Sequence, residues 1–197
     1  MTGQTHVAIG IATALTLSIE QPIENQLIIV LSSIVGSLVP DLDHPKSKLN
    51  QKLLLINNNF YRALFYLTFG SIIIYYYLTK GSKPFILLGI ISLLIGISSH
   101  RGFTHSIVGF LVSTTIVKIC AKNCGLYPIY SGFIIGYICH LVADFFTPMG
   151  IKIFFPLGSN ISSPITIKTN SKLEKIMFIV LSIYSISLLI KYLFIHL

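Results

Sequence analysis

Asn123-Cys124-Gly125-Leu126-Tyr127-Pro128-Ile129-Tyr130-Ser131-Gly132-Phe133-Ile134-Ile135-Gly136-Tyr137-Ile138-Cys139-His140-Leu141-Val142-Ala143 runs from Lys122 to Asp144 without a fixed charge. Crossing a hydrocarbon core of ~30 Å takes ~20 helical residues, so this stretch is long enough to span a bilayer. Working outward, comparable intervals lie between Glu24 and Asp41, Arg62 and Lys80, Lys83 and Arg101, Arg101 and Lys118, and Lys175 and Lys191, with one more over roughly 5–19. Only 10% of the 197 residues are charged, 53% are hydrophobic, and the mean hydropathy is +0.81. Soluble chains carry about 25% charged residues, so disorder and an ordinary soluble domain are excluded. The expectation is an all-α polytopic membrane bundle of about seven apolar helices forming one integral-membrane domain over 1–197. The first two segments, roughly 5–19 and 26–40, are short for complete spans.

No basic region precedes the first apolar run and no small-residue cleavage pattern follows it, so no signal peptide is read. Cys120, Cys124 and Cys139 have neither the number nor the spacing of a disulfide framework or thiolate zinc site. They read as small apolar residues of membrane helices.

If each segment crosses once, the loops alternate between two faces. One face holds Lys46, Lys48, Lys52, Arg62, Arg101, Lys152, Lys168, Lys172 and Lys175, and the other holds Lys80, Lys83, Lys118, Lys122 and Lys191. The positive-inside bias makes the first face cytoplasmic. The net charge of +8 is then a topology signal and a means of holding anionic headgroups. No basic stripe interleaved with aromatics points to nucleic acid. Apart from the loops 41–62 and 148–175, the chain has little between its apolar segments.

Five of the six histidines and three of the six acidic residues fall in four short motifs. They are Thr5-His6, Pro40-Asp41-Leu42-Asp43-His44-Pro45, His100-Arg101-Gly102-Phe103-Thr104-His105-Ser106, and His140-Leu141-Val142-Ala143-Asp144. The alternation of spans brings all four to the cytoplasmic face. Isolated ionisable groups are expensive in a membrane, whereas a shared cation offsets the cost for all of them. His140 and Asp144, at i and i+4, project from one side of a helix within reach of one ion.

Pro40 and Pro45 push their preceding residues toward extended backbone. In such a strand Asp41 and Asp43 would point one way and His44 the other; which of the three ligates is left open. His100 and His105 lie about 140° apart on an unbroken helix. Gly102 supplies a break, Thr104 can cap the next helix, and His105 in its first turn would face back toward His100. Arg101 is either the anchor of a tight loop or a cation placed to neutralise a phosphate. His6 is included for its side of the membrane, and His196 is excluded on the same ground. Histidine and carboxylate donors without thiolate suit zinc first, with manganese, iron or magnesium as alternatives. The inventory of His6, Asp41, Asp43, His44, His100, His105, His140 and Asp144 is large enough for two ions, the usual arrangement for phosphoester cleavage.

Taken in order, His6, Gly36-Ser37-Leu38-Val39-Pro40-Asp41-Leu42-Asp43-His44, the motif from His100 to Ser106, and the run from Gly136 to Gly150 resemble the YdjM-type family of membrane-bound metal-dependent hydrolases. That family is also described as LexA-binding and inner-membrane-associated. The likeness runs from residue 2 to about 157. The HxxxD element is similar, more distantly, to that of the zinc-dependent phospholipase C and nuclease group. The resemblance implies a metal-binding integral membrane protein of the inner or plasma membrane with hydrolase activity; LexA binding maps onto no residue here.

The leading expectation is a metal-dependent hydrolase that cleaves a phosphoester of a lipid or amphiphile at the cytoplasmic interface. Asp43 or Asp41 would orient or deprotonate the attacking water, and Arg101 would hold the anionic oxygens. The alternatives are a transporter or metal-handling protein without hydrolysis and a membrane anchor for a regulatory partner. The lipid bilayer is the expected partner. Oligomeric state, substrate and the number of ions are not legible.

Overall fold

The computed structural model of the chain describes residues 1–81, 83–99 and 101–196. The described residues form eight α-helices: α1 (Gly3–Leu17), α2 (Ile23–Leu38), α3 (Lys48–Leu53), α4 (Asn59–Lys80), α5 (Lys83–Ile97), α6 (Ile107–Cys124), α7 (Tyr127–Phe145) and α8 (Lys172–His196). Two 3-10 turns, Pro40–Asp43 and Phe103–His105, interrupt the series. The seven apolar segments become α1, α2 and α4–α8, and α3 is a short extra helix within the loop 41–62. Among the described residues, four stretches have the length and hydropathy to cross a bilayer: Ile23–Asp43, Ile107–Cys124, Tyr127–Phe145 and Lys172–Tyr192. Phe85–Ile97 is a shorter apolar helix. Large apolar side chains such as Leu31, Ile72, Val142 and Ile183 point outward, as expected where lipid replaces water around a bundle.

The bundle is organised around α2 and α7, which make the most extensive helix–helix contact. Gly132 and Gly136, one helical turn apart, let the two backbones approach closely. A Cβ on Gly132 would meet the Ile29 carbonyl, and one on Gly136 the Ser33 carbonyl. Small residues at such spacing are a usual means of membrane-helix association, because close backbone packing substitutes for a hydrophobic driving force that lipid does not provide. α1 packs on both α2 and α7, with α8 outside it. The α4–α5 hairpin turns at Gly81, whose φ of 72° is left-handed, a conformation open to glycine without steric cost.

Local chemistry sets the ends that face the site. Asn58 caps α4 by accepting from Tyr61 N–H at 2.8 Å. Ser106 caps α6 by accepting from Gly109 N–H at 3.1 Å, so the cap expected at Thr104 falls to Ser106. Arg62 is buried and donates to the carbonyls of Ile95 at 2.5 Å and Ser98 at 2.7 Å. These are carbonyls that the end of α5 leaves without helical partners. The long loop after α7 is tied back by Ile107 N–H to Ile153 O, Ser163 N–H to Phe145 O and Ile167 N–H to Phe146 O.

Candidate metal centre

His140 is fixed first. The glycine-mediated contact of α2 with α7 brings the Ser37 carbonyl 2.7 Å from His140 Nδ1, which directs Nε2 away from α2. One turn on, Asp144 projects from the same side, its Oδ2 3.8 Å from His140 Nε2. α1 lays the His6 ring over that of His140, with centroids 3.9 Å apart and planes inclined by 19°. His6 Nε2 is 3.2 Å from Asp144 Oδ1. From the turn before α6, His105 Nε2 comes 3.1 Å from His140 Nε2 and 3.5 Å from Asp144 Oδ2. Asp41 adds Oδ1 at 3.8 Å from His140 Nε2. His6, His105, His140 and Asp144 are buried, while the Asp41 side chain is 22% exposed.

Two overlapping sets of donors lie within 4.8 Å of one another, His6 with His140 and Asp144, and Asp41 with His105 and His140. They share a single Nε2 of His140, so they are halves of one cluster. Donor atoms placed about 2.1 Å from a tetrahedral ion stand about 3.4 Å apart; the separations here run from 3.1 to 3.8 Å. Among the described residues His6 Nδ1 is buried without a hydrogen-bond partner, and Nε2 has only the ion-pair contact with Asp144, an arrangement costly unless something else satisfies it. These nitrogen and oxygen donors could therefore hold a metal ion.

Asp43 lies elsewhere. Pro40–Asp43 is a 3-10 turn and not an extended segment: Val39 keeps helical φ and ψ of −58° and −42°, its N–H bonding Val35 O and its carbonyl taking Leu42 N–H. In a 3-10 helix, residues two apart point about 240° from each other, so Asp41 and Asp43 diverge where a strand would have aligned them. The Asp43 carboxylate is fully buried and accepts from Arg101 N–H at 2.9 Å and from Thr104 Oγ1 at 2.6 Å. The same Oδ2 is 3.3 Å from His105 Nδ1. Asp43 thus addresses the ring nitrogen of His105 opposite the one in the cluster. Burial works against a charged His105, and the carboxylates of Asp43 and Asp144 more than offset it, raising the imidazole pKa to about 10.

Arg101 carries a φ of 58°, uncommon for a residue with a Cβ, and this turns its backbone N–H toward Asp43. Its Nη1 donates to Thr147 Oγ1 at 3.1 Å and to Gly150 O at 2.7 Å, and Nη2 is 3.4 Å from Asp144 Oδ2. The amino group of Met1 is 2.6 Å from Asp144 Oδ1. His44 lines the cavity beside the cluster and gives its carbonyl to Asn50 Nδ2 at 2.8 Å, but it belongs to neither donor set. His100 lies outside the described residues.

Asn50 escaped the sequence reading. Fully buried, it donates from Nδ2 to the carbonyls of Leu42 and His44, on either side of Asp43, and accepts from Tyr66 Oη at 2.7 Å. It clamps the aspartate turn from α3. A lone asparagine in a polar loop gave no periodic or motif signal. Thr104 and the Ser37 carbonyl were likewise invisible as parts of the centre.

The cluster opens onto a cavity of about 720 Å³ lined by Asp41, Asp144 and Arg101, by Lys46 and Lys52, and by apolar residues including Leu38 and Phe178. The cavity can therefore receive a group carrying both negative charge and apolar surface, and it reaches the donor cluster through Asp41 and Asp144.

No solved structure matches this chain. YvsG of Bacillus subtilis strain 168 is 27% identical over 187 residues, covering 94% of this chain and 92% of that protein. The inner membrane protein YdjM of Escherichia coli strain K12, and that of Shigella flexneri, are each 29% identical over 161 residues. Those alignments cover 80% of this chain, which spans 65% of the length of either relative. The profile of the YdjM inner membrane protein family matches residues 1–196. With a match over that length and several apolar helices able to cross a bilayer, the chain belongs to the YdjM family of multi-pass inner membrane proteins.

Proposed function

We propose that the protein is a metal-dependent hydrolase that cleaves a phosphoester of a lipid or amphiphile at the cytoplasmic interface. The observation that carries this reading is the cavity in which Asp41, Asp144 and Arg101 share a wall with Lys46, Lys52 and apolar residues. His6, His105, His140, Asp144 and Asp41 would hold the cation, zinc first. When bound, a divalent ion supplies Lewis-acid polarisation of a phosphoryl oxygen and a nucleophilic water at neutral pH. Arg101, held by Thr147 and Gly150, orients the phosphate by facing its non-bridging oxygens. Asp41, the partly exposed carboxylate of the cluster, accepts the proton of the attacking water. Asp43 acts through His105, fixing the ring so that Nε2 faces the donors, and Lys46 and Lys52 attract the anionic group.

Elemental analysis of detergent-purified protein beside a His140→Ala, Asp144→Ala double variant tests the site, followed by a panel of phosphatase and phospholipase substrates with and without chelator. Near-stoichiometric metal lost in the double variant, with chelator-sensitive turnover of an amphiphilic phosphoester, is the expected result. Equal, sub-stoichiometric metal in both proteins refutes the reading, and metal without turnover shifts it to metal handling.

A further inference from the structure

Residues 44–58 follow directly on the candidate span Ile23–Asp43 and precede α4, so chain connectivity holds them at the membrane surface on the side of the metal-donor cluster. This segment contains no Asp or Glu and carries Lys46, Lys48 and Lys52. Leu54 is buried, but most of the neighbouring apolar side chains face outward: Leu53, Leu55 and Ile56 are 51%, 98% and 48% exposed, and Phe60 at the start of α4 is 69% exposed. Such a group, outside the candidate spans, has no protein surface against it among the described residues. Basic residues beside an outward apolar face are the pattern of an element lying in the headgroup and upper acyl region of an anionic leaflet.

The same element forms a wall of the site. Lys46, Leu49 and Lys52 line the cavity that reaches Asp41, Asp144 and Arg101. Asn50, on the inward side of α3, holds the carbonyls on both sides of Asp43. α3 and the metal-donor cluster therefore border one cavity, with lysines in its lining and exposed apolar side chains beside it.

We propose that α3 and residues 53–60 form an interfacial element seated in the adjacent leaflet, over which an anionic phospholipid enters the cavity headgroup first. The seating is independent of catalysis, whereas entry of the lipid rests on the reading of the cavity as the substrate site. Lys46 and Lys52 would hold the headgroup while the acyl chains remain beside Leu53 and Leu55.

The chain contains no tryptophan, so Leu55→Trp makes a single-tryptophan reporter in the reconstituted full-length protein. Ile183→Trp, on the outward face of α8, serves as the bilayer reference, and N-acetyltryptophanamide free in the buffer as the aqueous one. Vesicles contain phosphatidylcholine or phosphatidylglycerol brominated on the acyl chains. The Leu55→Trp emission is expected to be quenched by brominated lipid as for Ile183→Trp, with a preference for phosphatidylglycerol that falls roughly fivefold per lysine when Lys46→Gln and Lys52→Gln are added. Quenching by aqueous acrylamide as for free N-acetyltryptophanamide, with insensitivity to brominated lipid, overturns the seating. Equal quenching by both lipids, unchanged by the lysine variants, overturns the anionic-lipid assignment. None of these readouts requires turnover, so a failed hydrolase assay and a failed lipid assay remain distinguishable.

Discussion

Asp43→Asn separates a residue that holds a ligand from one that is a ligand. The isosteric amide keeps an oxygen to accept from Arg101 N–H and Thr104 Oγ1, at 2.9 and 2.6 Å in the native protein, but removes the charge facing His105 Nδ1 at 3.3 Å. Loss of an outer-shell partner of a metal-bound histidine costs about 10–100-fold in affinity, or roughly 1.4–2.7 kcal/mol. A second effect opposes the first. With its imidazole pKa raised to about 10, His105 must give up a proton to bind metal, so wild-type affinity climbs about tenfold per pH unit below that value. Without the Asp43 charge the pKa falls only part of the way, because Asp144 still favours the charged ring, and the pH dependence flattens. The deficit of Asp43→Asn should therefore be largest near about pH 8.5 and shrink toward about pH 6. Zinc titration against a chromophoric chelator in detergent, at both pH values and beside Asp144→Asn, measures this. If Asp43→Asn abolishes stoichiometric binding at both pH values, as Asp144→Asn is expected to do, Asp43 is itself a ligand and the orienting role is wrong.

Four further outcomes are expected. Zinc binding near about pH 7.5 should release about one proton, because His105 is protonated below its raised pKa and must be neutral to ligate; calorimetry in buffers of different ionisation enthalpy counts it. Asn50→Ala leaves the Leu42 and His44 carbonyls and the Tyr66 hydroxyl without the partner they have here, which should lower unfolding stability by roughly 2–4 kcal/mol in chelator-treated protein, measured by denaturant unfolding in detergent. Gly136→Leu drives a side chain into the Ser33 carbonyl, so it should separate α2 from α7, release His140 Nδ1 from Ser37 and remove bound metal. Gly81→Ala, where nothing lies within 4 Å of the added Cβ, should cost only about 1 kcal/mol from its left-handed backbone and leave metal content unchanged.

The outer-shell arrangement accounts for a chemical asymmetry in the centre. Asp144 presents Oδ1 to His6 and Oδ2 to His105, His140 and Arg101, a geometry in which one carboxylate serves every other group. Asp43 faces the outer side of the cluster, through His105, the Thr104 hydroxyl and the backbone of Arg101. Two aspartates two residues apart in sequence, Asp41 and Asp43, consequently face different chemistry. One reaches the cavity and the other is sealed behind the histidine.

The sequence by itself determined that this is a helical membrane protein, because the scarcity and spacing of charge constrain what a bilayer will accept. It also determined the His140–Asp144 pair, because helical periodicity is local and an i,i+4 spacing puts both side chains on one side. Tertiary structure decided the rest. The turn at Pro40 became 3-10 because Val39 stays in the helical ladder and Asn50 clamps the carbonyls around Asp43, contacts made by residues that no local rule connects. The Thr104 hydroxyl is engaged by Asp43, leaving Ser106 to cap α6. Gly132 and Gly136 orient His140 only because α2 lies against them. Side-chain direction at a turn depends on partners distant in sequence, and the division of labour between Asp41 and Asp43 exists only once α3, the link before α6 and α7 have packed together.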